Sequence, residues 1–244
     1  MIFRSCVVSL LLIFSSITSS LEFKSGNNQV QLIELYTSEG CSSCPPADNF
    51  LTAFLDNPTL WQSRIPIALH VDYWDYIGWK DRFASKENSA RQRLHAKQGN
   101  VSQVYTPSFI VSGEEWRSWF LGDRAIPDSH AKPGELILTV DDQSFDASFS
   151  ASTNFGNKLE LHLALLGFGL VNDIKTGENH GRKLVHNFVK LNETVVSSID
   201  KSWQGKLPDI PQNMQDYKQL AVVAWVSNVK NIKPIQATGG WLEN

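Results

Sequence analysis

The chain has 244 residues, of which 42% are hydrophobic and 19% are charged, and its formal net charge is -3. This composition supports a sizeable hydrophobic core and excludes a disordered chain. The lack of a basic excess argues against nucleic-acid binding, because phosphate contacts require many Lys and Arg side chains.

Residues 1–20 are predicted to form a signal peptide. Arg4 supplies a positive charge, an apolar run extends to Phe14, and small residues precede a cleavage point near Ser20. The apolar run is short for a bilayer span and no later stretch is as apolar, so no stable membrane insertion is expected after cleavage. An uncleaved anchor is the alternative. The sequence therefore predicts export, to the periplasm or as a secreted protein.

Strands alternate with helices between residues 29 and 125, which predicts an α/β domain with right-handed crossovers. The predicted elements are strands over 30–36, 65–71, 108–112 and 116–121, a helix from residue 43 and a helix over 85–98.

Short strands follow Pro133, which predicts a second, mostly β domain over 134–244 with a sandwich-like arrangement. Its predicted strands cover 135–140, 145–151, 158–167, 183–191 and 220–226.

Cys41 and Cys44 are spaced C-x-x-C between the first strand and the first helix. The partial positive charge and free N–H groups of a helix N-terminus favour a thiolate at Cys41. Cys44 is close enough to form a disulfide and to resolve a mixed disulfide formed at Cys41. The pair predicts redox chemistry that needs no organic cofactor.

Two alternatives remain open for this pair. A purely structural disulfide would close a very short loop and contribute only about 2 kcal/mol. A copper site would combine Cys41 and Cys44 with His70, at the end of the second strand, because thiolates suit Cu(I). His70 as a hydrogen-bonded structural histidine is the simpler interpretation.

Several residues are candidates for supporting roles. Glu34 lies inside the first strand, and burial would raise its pKa and make it a proton-transfer group, unless it faces solvent. Tyr73, Trp74 and Trp79 follow the second strand at the sheet edge where Cys41 is expected. They predict an aromatic wall that binds a peptide or ligand, or alternatively a cap on the core.

Two further segments accompany these candidates. Thr106-Pro107 stands between the second helix and a hairpin, a position that favours a cis peptide bond. A polar segment over 178–186 carries no assignable chemistry, although contact of Arg182 or His186 with the first domain would shape its cleft.

These motifs together resemble the thioredoxin-like superfamily. The runs ELYTSEGCSSCPPAD, HVDYWDYIGWKD, VYTP and GENHGRKLVH resemble, more narrowly, a bacterial family of exported thioredoxin-like proteins of unknown function. The resemblance implies that Cys41 is the nucleophile and Cys44 the resolving thiol. It also implies a cis Pro107 beside the sulfurs and a Thr106 backbone that pairs with a bound peptide.

The predicted function is that of an exported thiol–disulfide oxidoreductase acting on protein or peptide thiols and disulfides. The alternatives are a copper-binding protein or metallochaperone, and a non-enzymatic binding module that uses the aromatic wall and the β domain.

Overall fold

The computed structural model describes residues 20–156 and 158–242. Apart from Ser20, the predicted signal peptide lies outside the described residues. No helix among the described residues is long and apolar enough to cross a membrane.

The described residues form a mixed α/β structure with far more strand than helix. The elements of its first part are β1 (Leu21–Lys24), β2 (Gln31–Thr37), α1 (Pro45–Thr52), β3 (Arg64–His70), α2 (Lys86–Lys97), β4 (Ser108–Val111) and β5 (Glu114–Glu115). Those of its second part are β6 (Gly134–Asp141), β7 (Ser144–Ala151), β8 (Leu159–Phe168), β9 (Leu170–Asp173), β10 (Lys183–His186), β11 (Val189–Ser198), β12 (Ser202–Lys206), β13 (Gln219–Asn228) and β14 (Asn231–Leu242). Short 3-10 helices cover Ala53–Asp56, Asp72–Ile77, Ser118–Leu121 and Gln212–Met214.

One eight-stranded sheet runs through both parts of the chain, in the order β14-β13-β8-β11-β3-β2-β4-β5. Strands β2 and β3 are parallel, and β4 is antiparallel to β2. Strand β11 joins β3 in parallel, with Val189 opposite Ala68, and the Ala68 N–H donates to the Phe188 carbonyl oxygen at 2.8 Å. The sheet therefore crosses the boundary predicted near Pro133, and the division into 29–125 and 134–244 stays a prediction.

A second sheet, in the order β1-β6-β7-β12, packs on the far end of the first. Residues of β7 alternate between exposed and buried, so one face of this sheet is apolar. That face shares a core with β8 and β13, built from residues such as Leu138, Phe149, Leu163 and Val222. The second part of the chain is rich in strands, as predicted.

Gln236, a fully buried residue of β14, ties three distant segments together. Its Oε1 accepts from Val30 N at 2.8 Å. Its Nε2 donates to the carbonyl oxygens of Asn28 at 3.0 Å and Gly134 at 2.8 Å. These bonds satisfy backbone groups where β2 and β6 begin, which is why an amide is needed at this position.

Two predicted strands are wrong. The segment over 116–121 contains no strand: β5 ends at Glu115, and Trp116 and Trp119 turn into the core around a 3-10 helix. The segment over 183–191 is split into β10 and β11, because Phe188 adopts a left-handed φ of 60° and buries its ring.

Candidate functional site

Cys41 and Cys44 form a disulfide at the start of α1, with their Cα atoms 5.4 Å apart. Cys44 caps the helix, and Pro45 and Pro46 fill its first turn, where a missing N–H costs little. The Cys44 carbonyl oxygen accepts from Asp48 N at 3.1 Å, which anchors the second cysteine to the helix. The helix from residue 43 is confirmed, with its first helical residue at 45.

A loop from the second part of the chain lies against the backbone of residues 39–42. We call residues 174–182, between β9 and β10, the cover loop. Asn179 Nδ2 donates to the carbonyl oxygens of Glu39 at 2.7 Å and Cys41 at 3.0 Å. Glu178 Oε2 accepts from Ser42 N at 3.1 Å, and hydrogen bonding to the Ser42 side chain and backbone lowers the pKa of Glu178. Cys41, whose carbonyl oxygen this loop binds, is only 1% exposed.

Trp74 links the cysteine loop to the Thr106–Pro107 peptide, which is cis as predicted. Its Nε1 donates to Thr106 Oγ1 at 2.7 Å. Its Cβ lies 3.0 Å from where a Cβ on Gly40 would stand, so only glycine fits there without a shift. The structure thus brings Trp74, Thr106 and the residue before Cys41 together.

The other two aromatic candidates are engaged elsewhere. Tyr73 donates through its hydroxyl to Gln92 Oε1 on α2 at 3.0 Å, and burial raises the pKa of Tyr73 to about 12. Trp79 donates through Nε1 to Glu39 Oε2 at 2.7 Å. Their part in binding a substrate stays a prediction.

Glu34 is buried, but the expected raised pKa is wrong. Burial alone would raise it, yet Arg91, with its Nε 2.6 Å from Glu34 Oε1, and His95 together lower the pKa of Glu34 to about 2. A carboxylate that is fully ionised near neutral pH does not store a proton. The proton-transfer role assigned to Glu34 therefore lacks its physical basis.

His70 belongs to a buried polar cluster that the sequence did not predict. Its Nδ1 lies 2.7 Å from Asp81 Oδ2, and its ring centroid lies 5.0 Å from that of His186. Burial would lower the pKa of His70, but the Asp81 carboxylate raises it to about 9. Donor atoms of Asp48, His70 and His186 all lie within 4.8 Å of one another. The proposed copper ligands Cys41 and Cys44 are absent from this group of described residues, and their sulfurs are bonded to each other.

The polar segment over 178–186 does contact the first part of the chain. His186 Nε2 lies 2.9 Å from Glu39 Oε1, and Asn179 and Glu178 hold the cysteine loop. The acidic partners Glu39, Asp48 and Asp81 were missed, because acids at such separations along the chain give no periodic signal. Glu39 and Asp48 lie within a few residues of the C-x-x-C motif in the sequence, and this was the one signal that could have marked them as site residues.

The fold and the site define a β-rich α/β protein with a covered C-x-x-C disulfide at a helix N-terminus. The chain belongs to the family described as "Protein of unknown function (DUF1223)", whose model matches residues 32–227. The assignment to the thioredoxin-like superfamily is therefore wrong: the matching family is not established as thioredoxin-like, and its match runs through both predicted domains. The family match assigns no function to the chain.

Two solved structures share the fold. The crystal structure of protein AGR_C_4864 from Agrobacterium tumefaciens is 22% identical with a TM-score of 0.57, and the match covers 89% of this chain and 98% of that chain. HBP35 of Porphyromonas gingivalis is 15% identical with a TM-score of 0.56, and the match covers 89% of this chain and 76% of that chain. No curated protein matches the chain.

Proposed function

We propose that the protein is an exported thiol–disulfide oxidoreductase that exchanges disulfides with protein or peptide partners through Cys41 and Cys44. The observation that carries the proposal is the Cys41–Cys44 disulfide at the N-terminus of α1. Two cysteines placed there have the geometry for reversible bonding and the electrostatic setting for a reactive thiolate. The apolar segment within residues 1–20 supports an exported location, where such chemistry has disulfide-containing partners.

In each step of the exchange one disulfide bond forms and one breaks. The Cys41 thiolate attacks one sulfur of a partner disulfide, a Cys41–partner bond forms, and the second partner sulfur leaves as a thiolate that takes up a proton. The Cys44 thiolate then attacks Cys41 Sγ, which restores the Cys41–Cys44 bond and releases the first partner sulfur as a thiol. The protein loses two electrons and the partner gains them. The reverse sequence oxidises a partner dithiol, and the difference in reduction potential sets the direction.

Exposed and partly exposed side chains near the cysteine loop support partner binding. Ser42 and Ser43 are exposed beside the cysteines, Trp74 and Thr106 are partly exposed, and Tyr76 is 82% exposed. Aromatic side chains next to exposed backbone provide both apolar contact and hydrogen bonding for an extended peptide.

The cover loop imposes a condition on the reaction. Because Cys41 is almost fully buried, a partner sulfur reaches it only after the cover loop moves away from the cysteine loop. The loop is held there by Asn179, by the hydrogen bond to Glu178 and by Thr176 Oγ1, which donates to the Gly78 carbonyl oxygen, so access requires a local opening.

The first test is the reduction potential of the Cys41–Cys44 pair, measured by equilibration with glutathione and mass spectrometry of trapped thiols. A reversible couple above about -200 mV indicates an oxidant or isomerase, and one near about -270 mV a reductase. A pair that resists reduction below about -300 mV indicates a structural disulfide and overturns the proposal.

The second test is partner trapping. A Cys44→Ser variant is expected to accumulate mixed disulfides at Cys41, because the resolving thiol is missing. The matched Cys41→Ser variant should trap none. Partners that are retained equally by the Cys41→Ser/Cys44→Ser double variant would show thiol-independent binding and favour the non-enzymatic alternative.

A further inference from the structure

We propose that Asp48, His70 and His186 bind one divalent transition-metal ion such as Zn²⁺, at a site that is separate from the disulfide chemistry. Their donor atoms lie within 4.8 Å of one another, on α1, at the end of β3 and at the end of β10. Two imidazoles and one carboxylate are a ligand set that holds Zn²⁺ and similar ions with one position left open.

The hydrogen bonds of the two histidines fix which ring nitrogens are free. Asp81 and Glu39 act as acceptors, so His70 Nδ1 and His186 Nε2 carry the donated protons. The remaining nitrogens, His70 Nε2 and His186 Nδ1, are buried and have no hydrogen-bond partner among the described residues. These two residues are only 1% and 2% exposed. Buried ring nitrogens are normally satisfied by a hydrogen bond, a water or a metal ion, and a single ion between them would satisfy both.

The outer partners are arranged as in protein metal sites, where a carboxylate orients each ligating histidine. Glu39 is held by Asn172 Nδ2 at 2.7 Å and by Trp79 Nε1 at 2.7 Å, in addition to its contact with His186.

Asp81 accepts from the backbone N–H groups of Glu39 and Phe83, each at 2.9 Å, while it orients His70. Thr37 Oγ1 donates to Asp48 Oδ2 at 3.1 Å and fixes the third ligand. All three proposed ligands are therefore held in place by groups outside the site.

Charge balance supports a cation. Glu39, Asp48 and Asp81 carry three negative charges when ionised. Among the described residues Asp81 pairs with His70 and Glu39 with His186, while Asp48 has no ion-pair partner and accepts a hydrogen bond from Thr37. Burying several carboxylates without full compensation is costly. A protonated His70 balances one of these charges, whereas a divalent ion bound in place of its Nε2 proton balances two. Donors bound at about 2.1 Å to a tetrahedral ion lie about 3.4 Å apart, so each donor needs to shift by less than about 1 Å to close on the ion.

The test is titration of the tag-free, metal-free protein with Zn²⁺ while the Cys41–Cys44 disulfide is intact, followed by calorimetry and by metal analysis per chain. Titration with Co²⁺ adds visible absorption bands as a readout of the ligands. We expect one ion per chain and a higher unfolding temperature when the ion is bound.

Conservative variants separate ligation from folding. His186→Gln keeps an amide donor for Glu39 and His70→Asn keeps one for Asp81, while each loses the free nitrogen. Losing a residue that only orients a ligand typically weakens metal binding by about 10- to 100-fold. Each of these two variants loses a ligand and should weaken Zn²⁺ binding by more than that. Half-buried Asp48→Asn is the variant least able to disturb folding and should weaken binding similarly, whereas His130→Gln at an exposed histidine should bind as wild type.

The Cys41→Ser/Cys44→Ser double variant should bind Zn²⁺ as wild type, although it has no redox activity, so the metal site and the proposed function fail separately. Absence of stoichiometric binding overturns the proposal. Wild-type affinity in folded His186→Gln or Asp48→Asn does so as well, and loss of binding in the double cysteine variant would place the ion on sulfur instead.

Discussion

Removal of the Asn179 side chain should expose the disulfide to reductants. Asn179→Ala deletes two hydrogen bonds that hold the cover loop, to Glu39 O at 2.7 Å and to Cys41 O at 3.0 Å. Hydrogen bonds contribute about 0.5–1.5 kcal/mol each, so loop opening becomes easier by about 1–3 kcal/mol. If opening precedes attack on the disulfide, the rate of reduction should rise about 5- to 160-fold.

The assay is the pseudo-first-order rate of disulfide reduction by dithiothreitol, followed by alkylation and mass spectrometry. Exposed Asn49 on α1 offers a matched control, and Asn49→Ala should be reduced at the wild-type rate. Global stability is measured in parallel by chemical denaturation. The reasoning is refuted if Asn179→Ala is reduced no faster than wild type, or if its rate rises only in proportion to global destabilisation, since access would then require complete unfolding.

Three further predictions concern stability. Glu34→Gln should destabilise the protein by about 3–5 kcal/mol, because it leaves the Arg91 charge buried and unpaired. A Glu34→Leu/Arg91→Met double variant removes both charges, and a double variant that is no more stable than Glu34→Gln would contradict this. The pKa of Glu34 falls from 4.5 to about 2 on folding, so its ionised carboxylate contributes on the order of 3 kcal/mol to the free energy of unfolding. This contribution is present above pH 4.5 and is lost as pH falls toward 2. Denaturation midpoints of the wild-type protein that do not move over this range would argue against it. Gln236→Leu should cost about 2–4 kcal/mol in urea unfolding, since it leaves Val30 N and Gly134 O unsatisfied, whereas Gln143→Leu in an exposed turn should cost little.

The fold was predictable from the sequence where the signal was local. Strand β2, helices α1 and α2 and strand β8 follow from apolar runs and from breakers at their ends. The joining of β11 to β3 was not predictable, because nothing local marks a pairing between residues about 120 positions apart.

The same limit applies to the site. The cysteine pair was visible as a spacing, and the cis peptide before Pro107 as a position in the chain. The partner of Glu34 on β2 was not visible, since Arg91 approaches from α2 and reverses the effect of burial. The cluster around His70 was hidden because its acids and its second histidine come from four separate segments.

The pairing of β3 with β11 has a consequence for how the chain is made. During synthesis, β3 exists long before residue 189 emerges, so its edge, with Ala68 at the centre, has no native partner for more than a hundred residues. An unpaired, apolar strand edge is a template for association with other chains. Until the second part of the chain is synthesised, this edge is therefore open to pairing with a strand of another chain.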